Sequence, residues 1–137
     1  MQSKIISSTI CVDWSHLDLL GHVNNVSFYT YIQSARVNFW EQLGLDVTQI
    51  KNPCGVMLAS CSCTFIKPIF YPDIITIHSS INFIKHTSFG FHHQLFNQKN
   101  ELVAEANDVM VMYNFNKNEK VTIKKELDEK MRQYISD

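Results

Sequence analysis

A change of apolar period partway along the chain constrains its fold more than any other feature. Phe28, Ile32, Ala35, Phe39 and Leu43 recur at steps of four, three, four and four, and Gly44 follows them. This spacing is one face of an α-helix closed by a glycine stop. Tyr29, Val37 and Trp40 add a second apolar line, so the helix is expected to be substantially enclosed. From Val56 the period becomes two. Met57, Ala59, Cys61, Cys63 and Phe65 alternate with Ser60, Ser62 and Thr64 as far as Pro68, and Ile75, Ile77, Ile81 and Phe83 alternate with Thr76, His78 and Asn82. These are two long strands. Phe89, Phe91 and Leu95 mark a third, Asn97 to Asn100 a hairpin turn, and Leu102 to Phe115 a fourth that is apolar on both faces around Val109 to Met112. Ile5 to Val12, rich in β-branched residues, makes a strand ahead of the helix, and an amphipathic helix from about Lys124 to Ile135 closes the chain.

The order is strand, long helix, four consecutive antiparallel strands and a terminal helix, an α+β arrangement. A meander curling round one broadly apolar helix buries both. No repeat or linker divides the 137 residues, so one domain over 1–137 is expected.

Several function classes are excluded by composition. No apolar run approaches the ~20 residues needed to span a bilayer, which argues against membrane insertion. Twelve basic residues balance thirteen acidic ones, without the positive stripe that nucleic-acid binding requires, and the Lys-Lys-Glu run at 124–126 reads as a solvated helix start. Met1 to Ser8 lacks both a secretory apolar core and an arginine-rich transit pattern, so a cytoplasmic location is expected. Cys11, Cys54, Cys61 and Cys63 contain no Cys-x-x-Cys pair and are expected to be reduced and mostly buried.

The segment between the first strand and the helix carries the chemistry. Asp18-x-x-Gly21-His22-Val23-Asn24-Asn25, followed by the aromatic Phe28 and then Ala35-Arg36 inside the helix, resembles the signature of the 4-hydroxybenzoyl-CoA thioesterase family and its bacterial acyl-CoA and acyl-carrier-protein relatives. The resemblance continues through Phe65-Ile66-Lys67-Pro68, through Pro72-Asp73, where the family has a Gly-Asp turn, and through Ser88-Phe89. It implies a hotdog fold, a five-stranded antiparallel sheet wrapped round one long central helix with a C-terminal helix. It also implies hydrolysis of an acyl-CoA or acyl-carrier-protein thioester to free acid and thiol. The physical logic agrees. A thioester carbonyl needs a nucleophile or activated water on one side and donors for the developing oxyanion on the other. Asp18 precedes a helix whose first turn offers unpartnered N–H groups at a positive dipole end. Taken alone, Asp18 reads as a cap or turn residue.

Carried over by resemblance, Asp18 is the nucleophile or general base and the backbone N–H of Asn25 donates to the thioester oxygen. His22 is a structural hydrogen-bonding residue first and an acid–base helper second, because Leu20 stands where plant acyl-carrier-protein thioesterases have an Asn beside a catalytic His. Gly21 supplies a special backbone conformation, and Asn24 orients the loop or a water. Lys67, Lys85 and His86, with Ser88 nearby, are candidates for the coenzyme A moiety; their bland alternative is solvated surface. Two departures stand out. His16 occupies a position where the family often has a second acid, and Phe28 one where it often has Tyr. They leave open a non-catalytic acyl-CoA or acyl-carrier-protein binding module.

Rival chemistries fit less well. Asp18 and His22 are four apart without the Asn-Pro of hotdog hydratases. His92 and His93, adjacent on a strand, point to opposite faces, and His16, Asp18 and His22 lack a fourth ligand, so no metal is expected. No cofactor is implied beyond the coenzyme A of the substrate. Relatives place the site between subunits, which implies a homodimer or a tetramer of paired dimers.

Overall fold

Helix α1 (Asn25–Gln42) begins three residues ahead of the apolar stripe because Asn24 caps it, its side-chain oxygen accepting from the Ser27 N–H at 2.8 Å. Gly44, with φ of 75°, follows its end. In this computed structural model, which describes residues 4–44 and 53–135, α1 is preceded by β1 (Ile6–Cys11) and followed by β2 (Cys54–Phe65), β3 (Ile74–Ile84), β4 (Ser88–Phe96), β5 (Leu102–Asn114), the two-residue β6 (Glu119–Lys120) and α2 (Lys125–Arg132). Among the described residues no helix is long and apolar enough to cross a membrane.

The sheet is antiparallel in the order β1-β3-β4-β5-β2, with β6 paired to the end of β5. This corrects the simple meander. Only β3, β4 and β5 follow one another; β2 pairs with β5 from Cys54↔Asn114 to Phe65↔Ala104 and forms the far edge. Local alternation identifies strands but carries no information about which non-adjacent strand is the neighbour. The connection from β2 to β3 must therefore cross three strand spacings, about 14 Å. It does so against the Asp18 loop: the Val23 N–H donates to the Ile69 carbonyl at 2.8 Å and the Val12 N–H to that of Asp73 at 2.9 Å. The crossover fixes one wall of the loop.

The sheet's inner face and α1 enclose the core, which falls into two apolar clusters. One gathers Phe28, Tyr31, Ile32, Ile75, Leu95 and Ala104; the other gathers Phe39, Trp40, Ile81, Phe89, Phe91 and Met131. Each fully buried large side chain contributes roughly 1.5–3 kcal/mol. Between the clusters runs a buried polar row. Ser79 Oγ lies 2.7 Å from His93 Nδ1, His93 Nε2 lies 2.7 Å from Asp108 Oδ2, and the Arg36 guanidinium donates to the same oxygen at 3.0 Å. His92, on the opposite face, meets Asn107 instead.

Two further expectations are corrected. Tyr29 and Val37 are partly exposed while Trp40 is buried, so the second apolar line of α1 is enclosed only towards the end of the helix. Cys11 is exposed and Cys54, Cys61 and Cys63 are half-buried, because β2, with Cys61 and Cys63, lies at the edge of the sheet.

Candidate active site

The loop that carries Asp18 is a closed hairpin in miniature. Leu17 and Val23 pair as an antiparallel bridge, and the Asp18 N–H donates to the His22 carbonyl at 2.8 Å. The Gly21 N–H returns to the Asp18 carbonyl at 3.1 Å, which Gly21 achieves with a φ of 79°, a region that favours glycine. Inside this turn the Asp18 carboxylate is held by one oxygen. Oδ1 accepts from the Leu20 N–H at 2.9 Å and the His22 N–H at 3.2 Å. Among the described residues Oδ2 makes no hydrogen bond.

Asn24 joins this loop to α1. Its N–H and its side-chain amide both donate to the His16 carbonyl, at 2.9 and 2.8 Å, while its side-chain oxygen caps Ser27. The capped Ser27 and Phe28 N–H groups turn back to Asn24, leaving those of Asn25 and Val26 without a helical partner. The positive end of α1 thus presents free donors beside a carboxylate.

These groups share a cavity of about 300 Å³ lined by Asp18, His22, Asn25 and Lys67, with Phe28 and Phe65 among its apolar residues. Phe28 and Phe65 meet edge to face at 4.9 Å between ring centres. His22 is half-buried and packs edge-on against Phe70 at 5.0 Å. Lys67 is engaged by Glu101 at 2.6 Å, and the bond from Lys67, with a second from Asn97, holds the Glu101 carboxyl below the usual range. The cavity can therefore take an apolar group against two aromatic rings, with a carboxylate, backbone donors and one cation around its reactive end.

A family model described as the thioesterase-like superfamily matches residues 12–131. The chain belongs to that superfamily. The matched span of this thioesterase-like chain begins just before the Asp18 loop and ends in α2. A protein of Aquifex aeolicus (strain VF5) described as a putative esterase is 28% identical over 97 residues, covering 70% of this chain and 75% of that protein. The solved structure of the hypothetical protein SAV2348 from Staphylococcus aureus in complex with CoA superposes with a TM-score of 0.88 at 13% identity, covering 98% of this chain and 85% of that one. A mutant of 4-hydroxybenzoyl CoA thioesterase complexed with 4-hydroxybenzoyl CoA gives 0.84 at 19%, covering 93% and 98%. At these identities the likeness is one of fold, and the fold is the hotdog.

Of the residues singled out in the sequence, Asp18, His22, Asn25 and Lys67 come together, and Gly21 and Asn24 shape the loop that holds them. Lys85, His86 and Ser88 do not join them within one chain. They sit at the end of β3 away from Ile74, which pairs with Cys11 near the Asp18 loop; eleven strand residues separate the two levels, about 35 Å. There the Lys85 ammonium lies over the Phe83 ring at 5.2 Å, and His86 Nε2 lies 3.2 Å from Thr122 Oγ1. The sequence pattern passed over Tyr31, whose hydroxyl meets His16 Nδ1 at 2.8 Å, and Glu101, which holds Lys67. A buried-helix position occupied by Tyr rather than an aliphatic residue was the one available signal for Tyr31.

Proposed function

We propose that the protein is an acyl-CoA or acyl-carrier-protein thioesterase in which Asp18 acts as nucleophile or general base. The Asn25 backbone N–H serves as oxyanion donor. The observation that carries this reading is the division of labour between the two Asp18 oxygens: Oδ1 is fixed by two N–H groups, while Oδ2 is left without a hydrogen bond among the described residues, next to the donor end of α1. A carboxylate held in this way keeps one oxygen oriented for attack on, or water activation toward, a carbonyl whose oxygen reaches the helix start. His22 donates its main-chain N–H to Asp18 and packs on Phe70, which supports a structural role. No cofactor enters beyond the coenzyme A of the substrate, and the donor groups present need no metal.

The working unit is a homodimer. The outer edge of β2, with Met57, Leu58 and Phe65 exposed, has no strand beside it among the described residues, and a long unpaired edge is what a soluble protein must cover. A two-fold pairing centred near Cys61 sets Met57 of one copy beside Phe65 of the other. Ser88 lies two strands beyond Met57 at the same level, through Val111, so Lys85, His86 and Ser88 approach the site from the opposite subunit.

Thiol release from a panel of acyl-CoAs tests the chemistry. Asp18→Asn is expected to lower kcat by at least ~10²-fold with the fold intact. An unchanged rate overturns the role of Asp18, and binding without turnover in the wild type makes the protein a binding module.

A further inference from the structure

The cavity beside Asp18 follows the first turn of α1 from Asn25 and ends at two rings, Phe28 from the helix and Phe65 from β2, edge to face at 4.9 Å. The two are held very differently. Phe28 is 3% exposed and belongs to the core cluster that contains Tyr31 and Ile32. Phe65 is the last residue of the edge strand and is 48% exposed; besides Phe28 it meets the Tyr29 ring, at 6.5 Å. The Phe65 half of this wall can therefore be removed while the core stays filled.

Beyond the wall, α1 and β2 continue side by side. Tyr29 meets Phe65 at one level, and about two turns further along the helix the Arg36 guanidinium reaches Cys61 Sγ at 4.0 Å. Between these contacts lie Ile32 and Gln33 on the helix and Cys63 on the strand, and both cysteines pack on the Phe28–Ile32 cluster as small apolar residues. The seam ends at a charge, because Arg36 is bonded there to the buried Asp108 carboxylate at 3.0 Å. Distances follow from the helix rise. From the Asn25 N–H to the level of Phe28 and Tyr29 is about 5–6 Å, and to Arg36 about 16 Å. The Arg36 side chain leans back over roughly one turn, which leaves about 11 Å. An extended chain advances ~1.2 Å per bond, so the rings stop it after roughly four or five bonds and the guanidinium after roughly nine. Volume agrees, since the cavity of about 300 Å³ must also hold the thioester, and a benzene-sized guest alone takes ~150 Å³.

We propose that Phe65 is a specificity-determining residue that ends the acyl site one helical turn from the oxyanion donor. The protein then selects acyl groups of roughly four or five carbons over longer straight chains, and the seam between α1 and β2 is a closed continuation of the same site. This rests on the thioesterase reading of Asp18 and the start of α1. A longer chain must push the Phe65 ring off Phe28 and Tyr29, and one methylene beyond what a pocket holds costs ~10-fold or more. The open side of the seam, where Tyr29, Gln33 and Val37 are exposed, is the side that a second copy paired along β2 covers.

The test measures kcat/KM over straight-chain acyl-CoAs from acetyl to palmitoyl for the wild type, Phe65→Ala, Phe65→Leu and Phe65→Tyr. Alongside it, Kd is measured for S-alkyl-CoA thioethers of the same lengths, which bind without being hydrolysed. The wild type should work best near butanoyl-CoA and be poorer by ~10-fold or more at octanoyl-CoA. Phe65→Ala should move the optimum to octanoyl- or decanoyl-CoA, with a gain there of at least ~10-fold and little change for butanoyl-CoA. Palmitoyl-CoA should stay poor in every variant, because Arg36 and Asp108 bar the end of the seam. Phe65→Leu should fall between, and Phe65→Tyr should keep the wild-type order. The thioethers should follow the same order of lengths in Kd. A shift in thioether preference in Phe65→Ala without thiol release from any acyl-CoA upholds the length stop and fails the thioesterase reading instead. An unchanged order of lengths in Phe65→Ala and Phe65→Leu overturns the proposal. So does an equal loss at every length, and so does a wild type that binds no thioether of any length.

Discussion

Asp18 and Asp108 are both aspartates fixed by hydrogen bonds, yet their surroundings give them opposite work. Asp18 is exposed on a loop and held by the main chain of that loop. Asp108 is buried in β5, where one oxygen receives both His93 and Arg36, and the side chains of Asp108, His93 and Arg36 are 0, 0 and 11% exposed. Burial alone would raise the Asp108 carboxyl, but the bond and charge of His93, with Cys61 and Arg36 behind, outweigh it and hold the group below the usual aspartate value. The Cys61 thiol beside it is pushed up to about 12, by burial first and the carboxylate second, so it stays protonated. A carboxylate can react when one oxygen stays open to an approaching group. Once it is enclosed and paired, it becomes a fixed charge that organises the packing of α1 on the sheet.

The contrast breaks most readily on stability. Removing one partner of a buried ion pair leaves the other charge uncompensated, so Asp108→Ala is expected to cost about 3–5 kcal/mol. Asp18→Ala, which removes an exposed group bonded only within its own turn, should cost no more than about 1 kcal/mol. Urea unfolding of the two variants decides this, and equal losses would abolish the distinction. Activity should sort them the other way, with the ~10²-fold loss at Asp18→Asn the next largest effect and Asp108 variants that remain folded keeping their rate.

Acid sharpens the comparison further. Because the folded-state pKa of Asp108 lies below its unfolded value of about 3.9, its stabilisation is fully present above that value and is lost as pH falls through the folded one. The melting temperature of the wild type should therefore fall more steeply below about pH 4 than that of Asp108→Asn. Parallel curves would show that another carboxylate carries the acid sensitivity.

The same two aspartates show what a sequence makes legible. Asp18 could be found because its partners are its neighbours: Leu20, Gly21, His22, Asn24 and Asn25 build the loop and the helix start within eight residues of one another. The stripe of α1 and the alternation of β2 and β3 were legible for the same local reason. Asp108 could not be found that way, since Arg36 and His93 reach it from α1 and β4, with Ser79 of β3 behind His93; the only trace was a charge directly before the apolar run Val109 to Met112. The position of β2 beyond β5 was hidden likewise, and with it the separation of Lys85, His86 and Ser88 from Asp18. Local periodicity specifies elements, whereas strand order is decided by contacts between residues far apart in the chain.

Lys67 and Glu101 offer the smallest test, on an ion pair that belongs to neither extreme. Both side chains are substantially exposed, 49 and 39%, so solvent screens their bond and it adds little to folding. Yet Lys67 lines the cavity that holds Asp18, and Glu101 neutralises it there while its other oxygen is tied to Asn97. Glu101→Gln frees the ammonium without removing it. If Lys67 meets a phosphate of the incoming substrate, KM for an acyl-CoA should fall by roughly 2–5-fold at low salt with kcat unchanged, and the gain should vanish at high salt, where exposed charges are screened. A KM that ignores both the substitution and the salt would detach Lys67 from substrate recognition and leave Asp18, His22 and Asn25 as the polar side of the site.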